Sequence, residues 1–179
     1  MRLFFALWPD ESTRAQLASL LPEVNGRKTK SANLHITLAF LGEQPDTLLP
    51  SLQKIVDELT IPPMTLVIDR IGYFKRQRIA WAGMQQVPES LLALQRALCD
   101  ALEQHGIAFD RRNDFKPHIT LARNAEPPDS SSVEPIMWHG RQVSLVHSAA
   151  GSAGVSYRVL ASQYCNTPAE NAESRSKEK

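Results

Sequence analysis

His35-Ile36-Thr37-Leu38-Ala39 recurs as His118-Ile119-Thr120-Leu121-Ala122, 83 positions later in a chain of 179 residues. Each copy follows a helical pattern and a polar, basic loop, and each opens a predicted strand. Self-similarity at a fixed offset marks a repeated structural unit. The repeat therefore predicts two lobes related by a pseudo-twofold axis, with the two pentapeptides meeting near it. Side chains alternate along a strand. His35 and Thr37 should share one face, with Ile36 and Leu38 on the other. The same alternation puts His118 and Thr120 together. Facing lobes would then enclose a central cleft holding two imidazoles and two hydroxyls.

The flanking sequence fills in the lobes. Leu3-Phe4-Phe5-Ala6-Leu7 reads as a buried strand, and Pro9-Asp10-Glu11 as a helix start. Leu17, Leu20 and Leu21 give that helix its apolar face, and Pro22 stops it. Asn25 to Asn33 reads as a polar loop, and Leu34 to Leu41 as the strand of the first repeat copy, ended by Gly42. Asp46 opens a second helix, which Pro62-Pro63 ends. Met64 to Ile71 and Ile79 to Met84 read as a strand and its return. Leu91, Leu94, Leu98 and Leu102 mark the strongest helix, with Gly106 at its C-terminal cap. Val143 to Val146 and Val155 to Leu160 read as the last two strands, joined by a turn at Gly151 to Gly154. The prediction is an α+β fold: two pseudo-symmetric lobes of mainly antiparallel sheet, helices outside. Residues 1–165 form a single bilobal domain. Residues 166–179 show no apolar periodicity and read as a disordered tail.

Composition narrows the functional classes. Lys and Arg number 20 and Asp and Glu 19, a net charge of +1, so no global field draws the chain to a polyanion. Two cysteines, Cys99 and Cys165, make neither a disulfide framework nor a four-ligand zinc site. The apolar run before Pro9 is too short for a signal-peptide core, and no run of membrane-spanning length follows. A monomeric, cytoplasmic protein is expected, without a membrane partner.

Imidazole titrates near neutrality, so one histidine can act neutral and the other protonated. Such a pair flanking a phosphodiester supplies a general base and a general acid. Threonine hydroxyls can donate to the non-bridging oxygens. The scheme needs no metal, cofactor or covalent intermediate. It suits a phosphodiester already strained, such as a 2′,3′-cyclic phosphate. Identical copies do not assign the roles; His118 as base and His35 as acid is the starting assignment. No third histidine or carboxylate stands at metal-ligand spacing, and no Gly-rich phosphate loop or Gly-x-Ser-x-Gly is present. His105, His139 and His147 lack a repeated context and are read as structural or surface residues. Arg27, Lys28 and Lys30, then Lys75, Arg76 and Arg78, then Arg111, Arg112 and Lys116 place three cations in each of three loops. Those loops fit an RNA ligand.

Paired His-x-Thr motifs in similar lobes resemble the two-histidine phosphoesterase superfamily. Arg2 to Leu7, Asn33 to Gly42 and Phe115 to Arg123 are similar to the bacterial RNA 2′,3′-cyclic phosphodiesterases, also called 2′-5′ RNA ligases. The resemblance runs from residue 2 to about residue 164. The closing Tyr157-Arg158-Val159-Leu160 is followed by Gln163-Tyr164, where the family usually has a tryptophan. The resemblance implies hydrolysis of RNA 2′,3′-cyclic ends to 2′-phosphates. It also implies reversible, ATP-independent 2′-5′ joining, with RNA ends or small nucleotides as partners. It assigns His35 and His118 to catalysis and Thr37, Thr120 and Arg123 to the phosphate. Phe40 matches a base-stacking aromatic. Simple alternation, however, points Phe40 away from His35 unless the strand bulges, and points Arg123 away from His118, although a guanidinium can reach around a strand end. A non-catalytic RNA-binding module, or an enzyme for another cyclic or 2′-5′-linked nucleotide, are the alternatives.

Overall fold

The computed structural model describes residues 1–111, 114–151 and 154–165. The strands are β1 (Arg2–Leu7), β2 (Arg27–Lys28), β3 (Ile36–Glu43), β4 (Thr65–Phe74), β5 (Ile79–Gly83), β6 (Ile119–Arg123), β7 (Ser132–His139), β8 (Gln142–Gly151) and β9 (Gly154–Tyr164). The helices are α1 (Glu11–Ala18), α2 (Leu49–Glu58) and α3 (Glu89–Gln104). The α+β class holds. All strands join one sheet in the order β7-β4-β5-β6-β3-β1-β8-β9, with β2 beside β6. Every pairing is antiparallel.

The two repeat strands are neighbours at the middle of this sheet. They meet through one residue pair, Ile36 opposite Ile119. One half is β7-β4-β5-β6 and the other β3-β1-β8-β9, and this single pair joins the halves into one sheet. Beyond the Ile36–Ile119 contact the strands part, and β2 fills the flank of β6 opposite β5.

The helices cover one face of the sheet. α1 packs against β7, α2 against β8 and β9, and α3 against β3 and α2. Between them lies the core, which includes Leu3, Phe5, Ile36, Leu38, Ile119 and Leu121. Leu91, Leu94, Leu98 and Leu102 supply the buried stripe of α3. Gly106 follows with φ 64°, a left-handed cap position suited to glycine. Asp10 caps α1 by accepting the Thr13 backbone N–H at 2.7 Å, and this bond holds its carboxyl below the usual range. The other face of the sheet carries no helix among the described residues, as antiparallel sheets permit.

Three expectations need correction. Arg27 and Lys28, expected in a loop, form β2 against Arg123 and Ala122. β7 has no counterpart in the sequence reading. Its Glu134-Pro135 hides the alternation of buried Ile136 and Trp138, and proline is tolerated because β7 is an edge strand. Residues 46–48 form a short 3₁₀ turn, so α2 begins only at Leu49. The tail at 166–179, Arg112 and the turn residues 152–153 lie outside the described residues.

Candidate active site

His35 and His118 each stand one residue before the Ile36–Ile119 pair, and Thr37 and Thr120 one residue after it. The isoleucines are buried in the core. By alternation the histidines and threonines project from the open face. His35 Nε2 lies 3.1 Å from Thr37 Oγ1, a direct contact across that shared face.

Both imidazoles are oriented the same way. His35 Nδ1 donates to the Asn33 carbonyl at 2.7 Å, and His118 Nδ1 donates to the Lys116 carbonyl at 2.7 Å. The acceptor in each case is two residues upstream. A proton fixed on Nδ1 leaves the lone pair of the neutral ring on Nε2. Both rings thus offer Nε2 to the open face.

The parity of Phe40 and Arg123 is reversed by two matching bulges. In β1–β3, Phe5 pairs with Ala39 but Ala6 pairs with Thr37, so Leu38 is the extra residue. In β5–β6, Ala80 pairs with Ala122 but Trp81 pairs with Thr120, so Leu121 is the extra residue. Leu38 and Ala39 are both buried, as are Leu121 and Ala122. Each bulge turns the next residue back to the open face. Phe40 accordingly joins Phe4, Ala6, Trp8, Val146 and Tyr157 in a cluster apart from the main core. Burial lowers the pKa of both His35 and His118, and the charge of Arg123 adds a smaller push in the same direction on each.

The two histidines have unequal surroundings. His35 sits in an aromatic box. Trp8 stacks on it at 5.5 Å and 15°, with Phe4 at 5.0 Å and Tyr157 edge-on at 5.3 Å. Loss of water pushes its pKa down to about 4, and the charges of His118 and Arg123 add to the fall. His118 meets Phe74 edge-on at 4.9 Å and Trp81 at 6.3 Å. Burial lowers its pKa as well. Arg70 lies over Trp81 at 5.3 Å. A Cβ on Gly72 would come within 2.1 Å of the Trp81 indole, so glycine is what lets that ring lie flat on β4. The aromatic residues Phe4, Trp8, Phe74, Trp81 and Tyr157 are site residues that the sequence reading misses. They come from segments remote in sequence, and no local motif marks them.

Among the described residues, no three His, Cys, Asp or Glu side chains converge into a set that could hold a metal ion. His105 bonds the Ala101 carbonyl at 2.8 Å at the end of α3, and His139 bonds Thr65 at 3.1 Å, both away from the repeat. Arg111 pairs with Glu103 at 3.0 Å and lies over Phe109, so α3 and its loop engage that cation. No helix among the described residues is long and apolar enough to cross a membrane.

A helix-backed antiparallel sheet with two imidazole–hydroxyl pairs on its open face is the layout of a two-histidine phosphoesterase. The family model described as the 2′-5′ RNA ligase superfamily matches residues 8–150, and the chain belongs to that family. It is 37% identical over 128 residues to the RNA 2′,3′-cyclic phosphodiesterase of Escherichia coli K12, covering 69% of this chain and 72% of the relative. It is 30% identical over 178 residues to the enzyme of the same name from Thermus thermophilus, covering 89% and 88%. The crystal structure of E. coli LigT complexed with 3′-AMP superimposes with a TM-score of 0.80 at 29% identity, over 93% of this chain and 98% of that one.

Proposed function

We propose that this protein is an RNA 2′,3′-cyclic phosphodiesterase that opens the cyclic phosphate to a 2′-phosphate by metal-independent acid–base catalysis. The observation that carries the reading is the pair of Nε2 atoms offered from one open face, with Arg123 in electrostatic reach of both rings. The names of the E. coli and Thermus relatives support the substrate. Phosphate oxygens sit between the histidines, held by Thr37, Thr120 and Arg123, whose guanidinium matches phosphate geometry. The base stacks toward Phe40.

Water attacks phosphorus in line with the 3′ oxygen. One histidine takes the water proton as the new O–P bond forms. The other gives a proton to the 3′ oxygen as the P–O3′ bond breaks, leaving the phosphate on O2′. Burial favours the reverse of the starting assignment. His35 is the more strongly held in its neutral form and serves as base, and His118 carries the proton. With a 5′-hydroxyl in the place of water, the same forward attack joins ends through a 2′-5′ linkage without ATP: the base takes the hydroxyl proton, the P–O3′ bond breaks, and O3′ takes the proton of the acid.

The test is hydrolysis of a short oligonucleotide ending in a 2′,3′-cyclic phosphate. A 2′-phosphate product is expected. His35→Ala and His118→Ala should each cost on the order of 10²–10⁴ in rate. Full activity in either variant, or no turnover by the wild type, refutes the reading.

A further inference from the structure

The repeat superimposes the histidines and threonines but not their neighbours. At the same offset of 83, Phe40 corresponds to Arg123 and Arg27 corresponds to Asp110. In one half, Arg27 lies directly opposite Arg123 in the β2–β6 ladder. In the other, the Asp110 N–H donates to the Phe40 carbonyl at 2.8 Å. The pseudo-twofold therefore carries an Arg–Arg pair onto an Asp–Phe pair. The chemistry at the centre is symmetric and its flanks are not.

Cross-strand partners share a face, so Arg27 projects beside Arg123 on the histidine side of the sheet. Like charges directly opposite each other disfavour pairing. Both guanidiniums are exposed, and neither forms a salt bridge among the described residues. The pairing is held by the backbone instead. Gly26 has φ +88°, and a Cβ there would lie 2.7 Å from the Arg123 carbonyl oxygen. Thr29 N–H donates to the Leu121 carbonyl at 2.8 Å, and Glu126 N–H donates to Asn25 Oδ1 at 2.8 Å. Arg78 and Asn124, the non-glycine residues with positive φ among those described (52° and 51°), flank the Ile79–Arg123 pair of β5 and β6. Ala125 N–H donates to the Arg78 carbonyl at 3.0 Å, and Arg78 Nε donates to the Ala125 carbonyl at 3.3 Å. Two guanidiniums without an ion pair among the described residues, held opposite each other by backbone contacts, make a place where a bound phosphate relieves the like-charge repulsion.

We infer that Arg27 and Arg123 form a two-guanidinium track for consecutive phosphates. Arg123 serves the cyclic phosphate, and Arg27 takes the phosphodiester that joins the terminal nucleotide to its 5′ neighbour. Arg27 then selects a cyclic end that carries a 5′ neighbour over a free cyclic mononucleotide. Its anionic chain runs over β6 and β2, and its terminal base lies toward Phe40. This inference rests on the proposed phosphodiesterase reading and adds to it a specificity-determining residue, Arg27.

The experiment measures kcat/KM for three probes: a mononucleoside 2′,3′-cyclic phosphate, a dinucleotide ending in the same group, and that dinucleotide with a neutral methylphosphonate linkage. In the wild type the charged dinucleotide should be preferred over the mononucleotide. Arg27→Ala should lower that preference about tenfold, the scale of one charge-assisted hydrogen bond. Arg27→Lys should restore part of it. The neutral linkage should lower the preference equally in the wild type, and combining it with Arg27→Ala should add little more. Equal loss on the mononucleotide and dinucleotide, or full additivity of variant and neutral linkage, overturns the inference. Failure of the wild type to cleave any of the three defeats the phosphodiesterase reading itself.

Discussion

His35 should make the protein sensitive to acid well above the carboxylate range, and the size of the effect follows from its surroundings. Its folded pKa is pushed down to about 4, against an ordinary value of 6.5. The cause is burial among Phe4, Trp8 and Tyr157, with His118 and Arg123 adding positive charge nearby. The unfolded chain binds a proton near pH 6.5 and the folded chain does not. The contribution of neutral His35 is therefore complete above pH 6.5 and is lost as pH falls toward 4. The gap between those two values corresponds to roughly 3 kcal/mol in full, and to about 2 kcal/mol between pH 7 and pH 5. His35→Gln keeps a polar side chain and removes the titration. Urea unfolding of both proteins at pH 7 and pH 5 isolates His35 together with its coupling to His118, because groups that do not interact with it cancel in the comparison. The wild type should lose about 2 kcal/mol more than the variant across that interval. Equal losses in the two proteins, or an NMR titration placing the His35 midpoint near 6.5, would refute the desolvation argument.

Further outcomes follow from the same contacts. The profile of kcat/KM against pH should be bell-shaped with its optimum on the acid side of neutrality, since both imidazole pKa values lie below 6.5. An optimum above about pH 7.5 would contradict this. His118→Ala should remove the alkaline limb and His35→Ala the acid limb; the opposite result restores the original assignment of base and acid. Gly72→Ala forces the Trp81 ring off β4 and should cost about 1–3 kcal/mol by thermal or urea unfolding. An unchanged melting temperature would show that the ring has room to shift. Turnover should persist undiminished in excess EDTA, and a loss restored by zinc or manganese would require a different mechanism.

The fold is legible where one periodicity runs long enough to be unambiguous. Leu91, Leu94, Leu98 and Leu102 place α3, and the duplicated pentapeptide places β3 and β6 together. What escapes is structure fixed by tertiary context. β7 carries Pro135 and Glu134 on an edge, where the ladder does not need every N–H. β2 is two residues long, and its position depends on Gly26 fitting against the Arg123 carbonyl. A two-residue strand leaves no period to read. The 3₁₀ turn before α2 likewise shifts a boundary that Asp46 marks too early when read from sequence.

The repeat also explains what it hides. Identical pentapeptides make His35, Thr37, His118 and Thr120 recognisable, because alternation sends all four to one face. The same alternation gives the wrong face for Phe40 and Arg123. Leu38 and Leu121 each add one residue to their strand, and neither leaves a signature distinct from an ordinary core leucine. The bulges are themselves part of the repeat, since they fall at equivalent places in both copies. Their effect is to add a fifth and a sixth side chain to the open face at positions where the copies differ. On the proposed reading, a symmetric acid–base centre has no preferred direction for an RNA strand. An aromatic ring at one equivalent position and a guanidinium at the other supply one. The two bulges thus turn a duplicated motif into a site with distinct ends, and the unequal burial of the histidines, one boxed by three aromatic rings and one by two, gives those ends separate proton affinities.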